Sequence, residues 1–99
     1  MKGKVGYTFT ATVWRHAGQG GWYFVALPMA MAHEIRTHLR PEEEGWGRLK
    51  ATAHIGHSTW DTAIWYDTRR DTYLLPLKAD VRRTEGIADG AEIKATVWV

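Results

Sequence analysis

Apolar and polar residues alternate along most of the chain, and a period of two predicts β-strands. Four segments show this alternation: Val5 to Arg15, Arg48 to Ile55, Trp60 to Tyr66 and Ala91 to Val99. Gly21 to Leu27 is aromatic and apolar on both faces, which is typical of a strand covered on both sides. A further strand, Thr72 to Lys78, follows a predicted hairpin turn at Asp67 to Asp71. The pattern therefore predicts six strands.

One parity of each alternating segment is predicted to face the core, because successive side chains of a strand point to opposite faces. The core-side residues are Val5, Tyr7, Phe9, Ala11 and Val13 in the first segment, Leu49, Ala51, Ala53 and Ile55 in the second, Trp60, Thr62, Ile64 and Tyr66 in the third, and Ile93, Ala95, Val97 and Val99 in the last. Trp60 is therefore interpreted as a structural residue of the core.

A helix is predicted to begin at Pro28, which fits a first helical turn, and to end before Pro41. Apolar residues recur at helical spacing between the two prolines: Met31, Ile35 and Leu39. The segment from Arg40 to Trp46 contains three consecutive glutamates and is predicted to be a solvated loop.

Asp80 is predicted to cap a single helical turn from Val81 to Glu85, which Gly86 closes. Turns are predicted at Gly18 to Gly21 and at Asp89-Gly90. Six strands, one helix and one helical turn predict an all-β domain with one α-helix, built as a small closed or partly open barrel. The chain has 99 residues, which is the length of one domain, 1–99.

Composition narrows the function classes. The 13 Lys and Arg residues against 11 Asp and Glu give a net charge of +2, which is not the balance of a protein that binds nucleic acid mainly by backbone charge. The absence of cysteine excludes disulfides, thiolate nucleophiles and cysteine-based zinc sites, and it favours a reducing cytoplasm. The longest apolar run, Val25 to Ala32, is too short to span a bilayer. We therefore expect a soluble cytoplasmic protein without a membrane partner.

Several motifs carry a resemblance to a known family. In chain order they are Phe9-Thr10-Ala11, Trp22-Tyr23-Phe24-Val25-Ala26-Leu27-Pro28, Ser58-Thr59-Trp60-Asp61-Thr62, Tyr73-Leu74-Leu75-Pro76-Leu77-Lys78 and Val81-Arg82-Arg83. Together they resemble the bacterial domain-of-unknown-function family 1905 across essentially the whole chain. The resemblance implies a double-split β-barrel, an architecture similar to that of bacterial DNA-binding transition-state regulators and antitoxins. It implies no established activity, and fold analogy alone does not assign one. Ala91 departs from the family, which more often has an acidic residue there.

A basic group follows the fifth predicted strand. Lys78, Arg82 and Arg83, with backbone N–H groups near Asp80, are candidates for a site that binds phosphate or carboxylate. Alternatively, Arg82 pairs with Asp80, Glu85 or a carbonyl and only ties down the turn. The resemblance favours a role for Arg82, because the family's motif carries an arginine at that position.

Other chemistry-bearing patterns are weaker. His54 and His57 with Asp61 offer metal ligands, but the two histidines fall on opposite strand faces and no third ligand has a fitting spacing, so no metal site is predicted. Ser58 beside His57 is not a catalytic pair, because adjacent strand residues point to opposite faces. The chain carries no phosphate-binding glycine motif. Catalytic residues stay unassigned, and no cofactor is predicted.

The tryptophans give the strongest functional signal, since the chain has six. Trp14, Trp65 and Trp98 all fall on the polar parity of their strands, which predicts a second apolar surface outside the core. The predicted helix, a second subunit or a ligand can cover that surface. An aromatic cleft flanked by Lys78 and Arg82 suits a planar or anionic small molecule, or stacked bases.

We therefore predict a small-ligand or partner-binding module whose binding residues are Lys78, Arg82, Arg83, Trp14, Trp65 and Trp98. A small-molecule ligand and a homodimer are the partners considered. A nucleic-acid-binding domain is the first alternative by fold analogy, but the near-neutral charge and the lack of a basic arm disfavour it. A small enzyme acting on an anionic or aromatic molecule is the second, although the sequence lacks a recognisable nucleophile–base pair.

Overall fold

A computed structural model describes residues 5–18 and 21–99 of the chain. Residues 19 and 20, which belong to the predicted turn before the second strand, lie outside this description. The described strands are β1 (Gly6–Thr12), β2 (Trp14–Arg15), β3 (Tyr23–Ala26), β4 (Arg48–Ile55), β5 (Ser58–Asp67), β6 (Thr72–Pro76) and β7 (Glu92–Trp98). Two α-helices accompany them: α1 (Met29–Leu39) and α2 (Ala79–Glu85).

The seven strands form one antiparallel sheet in the order β1-β7-β4-β5-β6-β3-β2. Strands β1 and β2 are consecutive along the chain, yet they lie at opposite ends of this order. The sheet must therefore curve until its two edges approach each other, which gives a half-barrel with the core on its concave face. The predicted strand-rich fold with one main helix is confirmed.

The strand count differs from the prediction, because the first predicted strand is divided at Val13. The Val13 N–H donates to the Ala91 carbonyl and the Gly90 N–H donates to the Val13 carbonyl, so Val13 still pairs towards the last strand. Trp14, the next residue, pairs instead with Phe24 of β3. The predicted first strand thus forms a strand at each edge of the sheet, β1 and β2, and the strand count is seven where six were predicted.

Alternation identifies the core correctly in most strands. The predicted core-side residues of β4 are all buried, and Trp60 of β5 is only 8% exposed within the same core. Val5 is the exception, since its side chain is 48% exposed. It precedes β1 and is held through backbone hydrogen bonds with Val99, so its parity does not bury it.

Helix α1 begins directly after Pro28, as predicted, and a 3₁₀ turn that contains Pro41 follows it. Its buried residues, Ala32 and Ile35, belong to the core on the concave face of the sheet. The helix therefore closes the half-barrel from inside and leaves the convex face of the sheet uncovered by these side chains.

The predicted cap of the second helix is wrong. Helix α2 begins at Ala79, one residue before Asp80, and the N-cap position is Lys78, without a side-chain capping bond. Asp80 lies inside the helix and its carboxylate accepts a hydrogen bond from Arg83. The end of the helix is as predicted, because Gly86 adopts a left-handed conformation with φ of 65°.

The glutamate segment is not uniformly solvated, contrary to the prediction. Glu43 is turned inward, where its carboxylate accepts a hydrogen bond from the Tyr73 hydroxyl and lies 3.6 Å from Arg36 Nε. Burial, and then the Glu43 carboxylate, raise the pKa of Tyr73 far above its ordinary value, so Tyr73 remains a hydrogen-bond donor. The loop after α1 is thereby tied to β6.

Candidate functional site

A cleft of about 370 Å³ opens where β6 ends and α2 begins. We call it the basic–aromatic cleft, and its lining residues are Gly21, Trp22, Trp60, Asp61, Thr62, Pro76, Leu77, Lys78, Ala79 and Arg82. It contains two of the three basic residues predicted to form an anion site, together with two indole rings.

The pairing of β3 with β6 brings an aromatic side chain beside the cleft's lysine. Phe24 pairs with Pro76, and the Leu77 N–H donates to the Tyr23 carbonyl, so the pairing continues one residue beyond the end of β6. Trp22 and Lys78 are the next residues along the two chain segments. Both residues line the cleft, so Trp22 and Lys78 contribute to one site.

Arg82 is positioned by two contacts. Its Nε donates a hydrogen bond of 3.1 Å to the Leu77 carbonyl, and its guanidinium carbon lies 3.9 Å from the centre of the Tyr23 ring. The carbonyl bond is one of the structural partners expected for this arginine. These contacts use one N–H and one face of the guanidinium, and Arg82 forms no ion pair with any residue described. Its terminal N–H groups are therefore available to a ligand.

The charge of the cleft is the sum of three groups. Lys78 is exposed at the start of α2 and, like Arg82, has no ion pair within the described ranges. Asp61 provides the single carboxylate, and its Oδ1 accepts a hydrogen bond of 3.2 Å from the Thr52 hydroxyl. Two positive groups against one negative group leave the cleft with a net charge of +1. It therefore attracts anions.

The structure does not bring Arg83 or Trp98 to this cleft. Arg83 lies on α2 outside the lining and its guanidinium bonds to Asp80, as an exposed pair. Trp98 lies on β7, where its ring is 6.4 Å from that of His54 and packs over Gly6. Of the predicted binding residues, Lys78 and Arg82 line the cleft, whereas these two do not.

A second depression lies beside the cleft on the convex face of the sheet. This outer aromatic groove has a volume of about 480 Å³ and is lined by His16, Gly18, Trp22, Phe24, Trp65, Leu74 and Pro76. Trp65 is 37% exposed, as its polar parity predicted, and no residue of α1 lines the groove. The helix is therefore not the cover of this surface.

Trp14 supports the groove from one side. Phe24 lies between two indoles, with its ring centre 5.8 Å from Trp14 and 6.3 Å from Trp22. Arg70 covers Trp14 at 4.8 Å from the ring centre, so this tryptophan is partly shielded by a neighbouring side chain. Trp14 acts as a buttress for Phe24 and does not itself line either depression.

Sequence reasoning missed two cleft residues, Trp22 and Asp61, and assigned Trp60 to the core alone. Trp22 lies in a segment that is apolar on both faces, so its parity gives no orientation. Its place in the cleft with Lys78 depends on the pairing of β3 with β6. An antiparallel pairing of the predicted strands Gly21 to Leu27 and Thr72 to Lys78 is the signal that would have revealed the place of Trp22.

The histidine and serine residues of the β4–β5 turn form a structural clamp. The Ser58 hydroxyl and the His57 N–H both donate to Glu85 Oε2, at 2.6 and 3.3 Å, and this ties the turn to the end of α2. Gly56 permits the approach, because a Cβ built there would lie 1.9 Å from Glu85 Oε1. Across residues 5–18 and 21–99, no cluster of three or more potential metal-ligating side chains occurs.

The clamp predicts a defined pH dependence. The Ser58 hydrogen bond lowers the pKa of Glu85 below its ordinary value of 4.5, and the His57 N–H assists. The stabilisation is therefore present above pH 4.5 and is lost as the pH falls through the lower folded-state pKa. We expect Glu85→Gln to be less stable than the parent at pH 7 and to approach it at pH 3, measured by urea unfolding.

The exposed Glu92 of β7 provides the control for this prediction. Glu92→Gln should show no such convergence with the parent protein as the pH is lowered. A stability difference for Glu85→Gln that is constant or widens towards pH 3 would show that the clamp does not require the ionised carboxylate.

Comparison with known proteins identifies a family match over nearly the whole chain. A family described as a domain of unknown function, DUF1905, matches residues 9–97. These residues include every strand except the first residues of β1 and the last residue of β7. The search of curated proteins found no match. No helix in the described part of the chain has the length and apolar character needed to cross a membrane.

Proposed function

We propose that this chain, which belongs to the DUF1905 family, is a binding module that holds a small anionic molecule in the basic–aromatic cleft. One observation carries the proposal. Lys78 and Arg82 line the same cleft as Trp22 and Trp60, and neither cation is neutralised by a carboxylate in an ion pair among the residues described. The cysteine-free composition supports placing the module in a reducing compartment, the cytoplasm.

The energetics favour an anion over a neutral ligand. A hydrogen bond between a charged group and its partner contributes about 1.5–3 kcal/mol, which exceeds the contribution of a neutral pair. Apolar walls strengthen such bonds because they reduce the local dielectric response. In the cleft, Trp60 and Leu77 are buried core residues whose edges provide those walls.

The groups of the cleft favour binding over reaction. Its ionisable side chains are Asp61, Lys78 and Arg82. Arg82 is fixed by Leu77 and Tyr23, which pre-organises it for recognition of a carboxylate or phosphate. A guanidinium held in this way is suited to orienting a ligand through its planar set of N–H donors.

Phosphate and sulfate are expected to raise the melting temperature more than chloride at matched ionic strength, through preferential binding to the folded state. At about ten times the dissociation constant, linkage contributes about 1.4 kcal/mol, which is a rise of several degrees for a domain of this size. Lys78→Gln should remove most of the anion-specific rise. Arg83→Gln is the matched control and should retain it, because Arg83 lies outside the cleft.

The comparison between variants separates binding from the general stabilising effect of sulfate and phosphate on proteins. That general effect is the same in the parent protein, Lys78→Gln and Arg83→Gln. Binding in the cleft, in contrast, is weakened only in Lys78→Gln. Asp61→Asn removes the cleft's carboxylate and should increase the rise. Equal responses in the parent protein and Lys78→Gln would contradict the proposal.

A further inference from the structure

The basic–aromatic cleft and the outer aromatic groove are two parts of one continuous surface. Trp22 and Pro76 line both of them. Pro76 pairs with Phe24 across the strands, and Leu74 pairs with Trp65, so the groove extends over three neighbouring strands. With neighbouring strands about 4.8 Å apart, the surface extends for about 10 Å from β3 to β5.

Trp22 stands at the junction and offers an exposed indole. Its indole is stacked on Phe24 with an angle of 11° between the ring planes. Even so, Trp22 is 58% exposed, the largest fraction among the large hydrophobic side chains that the structure describes. The indole is thus near-parallel to the Phe24 ring, whose centre is 6.3 Å away, and more than half of the side chain is accessible to a ligand. An exposed indole is a stacking platform for a planar ring.

The two parts differ in chemistry. The cleft carries Lys78 and Arg82, whereas the groove is lined by aromatic and apolar side chains, with His16 as its polar one. At the far end of the groove, the guanidinium carbon of Arg48, which is ion-paired with Glu44, lies 5.8 Å from the ring centre of Trp65. The surface is thus cationic at one end and aromatic at the other.

We infer that the ligand of this module is a single molecule with both characters, a planar aromatic ring joined to a carboxylate or phosphate group. The ring stacks on Trp22 and extends over the groove towards Trp65, and the anionic group lies between Lys78 and Arg82. Because Trp22 and Lys78 line the same cleft, a short link between the ring and the anionic group lets one molecule contact both residues. This inference rests on the proposed function and specifies the ligand class for the same site.

Isothermal titration calorimetry with 2-naphthoate tests the inference. Naphthalen-2-ylmethanol is the matched neutral probe, and acetate is the matched anion without a ring. We expect 2-naphthoate to bind at least about tenfold more tightly than either probe, because only it satisfies both ends of the surface. A parallel titration with 2-naphthyl phosphate distinguishes a phosphate ligand from a carboxylate ligand by which of the two binds more tightly.

Trp22 variants show whether the ring uses the junction. Trp22→Ala should reduce the affinity for 2-naphthoate to that for acetate, while Trp22→Phe should restore part of the preference by stacking. Met29→Ala is the control, since Met29 is 53% exposed and lines neither depression. All three variants change exposed residues, so each is expected to fold.

The outcomes separate the inference from the function on which it rests. If phosphate still raises the melting temperature through Lys78 but 2-naphthoate binds no more tightly than acetate, the aromatic part is overturned and the anion site stands. If the neutral alcohol binds as tightly as 2-naphthoate, or Trp22→Ala keeps the preference, the two-part ligand is also overturned. If neither phosphate nor 2-naphthoate binds, both the anion site and the two-part ligand are overturned.

Discussion

Replacing Trp60 by alanine is expected to lower the free energy of unfolding by about 3–5 kcal/mol, the usual cost of a large-to-small change in a packed core. Trp60 is 8% exposed and packs within the main hydrophobic cluster, so its removal leaves a cavity beneath the cleft. Trp65→Ala on the same strand is the control. It points to the convex face and should cost much less, because most of the lost contacts are at the surface.

Urea titration followed by circular dichroism measures both variants, since fluorescence changes when tryptophans are removed. A loss below about 1 kcal/mol for Trp60→Ala is too small for a core cavity and would contradict the assignment of Trp60 to the core. Equal losses for Trp60→Ala and Trp65→Ala would mean that the two faces of β5 do not differ in burial.

The second large effect is expected at Glu43. Glu43→Ala removes the acceptor of the buried Tyr73 hydroxyl and the carboxylate that lies 3.6 Å from Arg36 Nε. Arg36 Nε has no hydrogen-bond partner among the described residues, and Glu43 is the carboxylate that forms an ion pair with it, while the Tyr66 ring lies 3.7 Å from the guanidinium carbon. Leaving a buried polar group unsatisfied costs about 1–3 kcal/mol, and we expect a loss in that range.

A double-mutant cycle with Tyr73→Phe isolates the contact between the two side chains. Tyr73→Phe should be destabilising in the parent protein and nearly neutral once Glu43 is alanine, because the hydroxyl then has no acceptor to lose. Glu42→Gln is the control for the same loop and should have little effect, since Glu42 is exposed. Strictly additive losses would show that Glu43 and Tyr73 do not interact.

The strands and their faces were predictable because burial repeats with the geometry of the strand. In β4, the predicted core-side residues from Leu49 to Ile55 are all buried, as a period of two requires, and Thr52 is the one residue of the opposite parity that is buried with them. Helix α1 was predictable for a similar reason, since Pro28 and Pro41 mark its limits and Ile35 lies on its buried face. In both cases, the local pattern and the packing that the fold requires agree.

Other features depend on contacts distant in sequence, which no local pattern contains. Glu42, Glu43 and Glu44 are indistinguishable along the chain, yet only Glu43 meets Tyr73, thirty residues away. The division of the first strand at Val13 likewise depends on where Ala91 and Phe24 come to lie. Such choices are made by tertiary packing and not by propensity.

The candidate site was predictable in part for the same reason. Lys78 and Arg82 follow one another closely in sequence, so a turn between strand and helix brings them together. The neighbouring Arg83 differs from Arg82 by one position, which rotates it about 100° around α2 and away from the cleft. Trp22 directly precedes β3, which is far from Lys78 and Arg82 in sequence. Its place in the site could be found only from the pairing of β3 with β6.

Mapping bound anion by ¹H–¹⁵N NMR is the most direct test of the proposed site. During a phosphate titration, the indole N–H signals of Trp22 and Trp60 and the backbone amide of Ala79 should shift together with one dissociation constant, and Lys78→Gln should weaken that response. If the shifts are instead confined to the surface of α1 around Arg36 and Arg40, with the cleft signals unmoved, the basic–aromatic cleft is not the binding site of this protein.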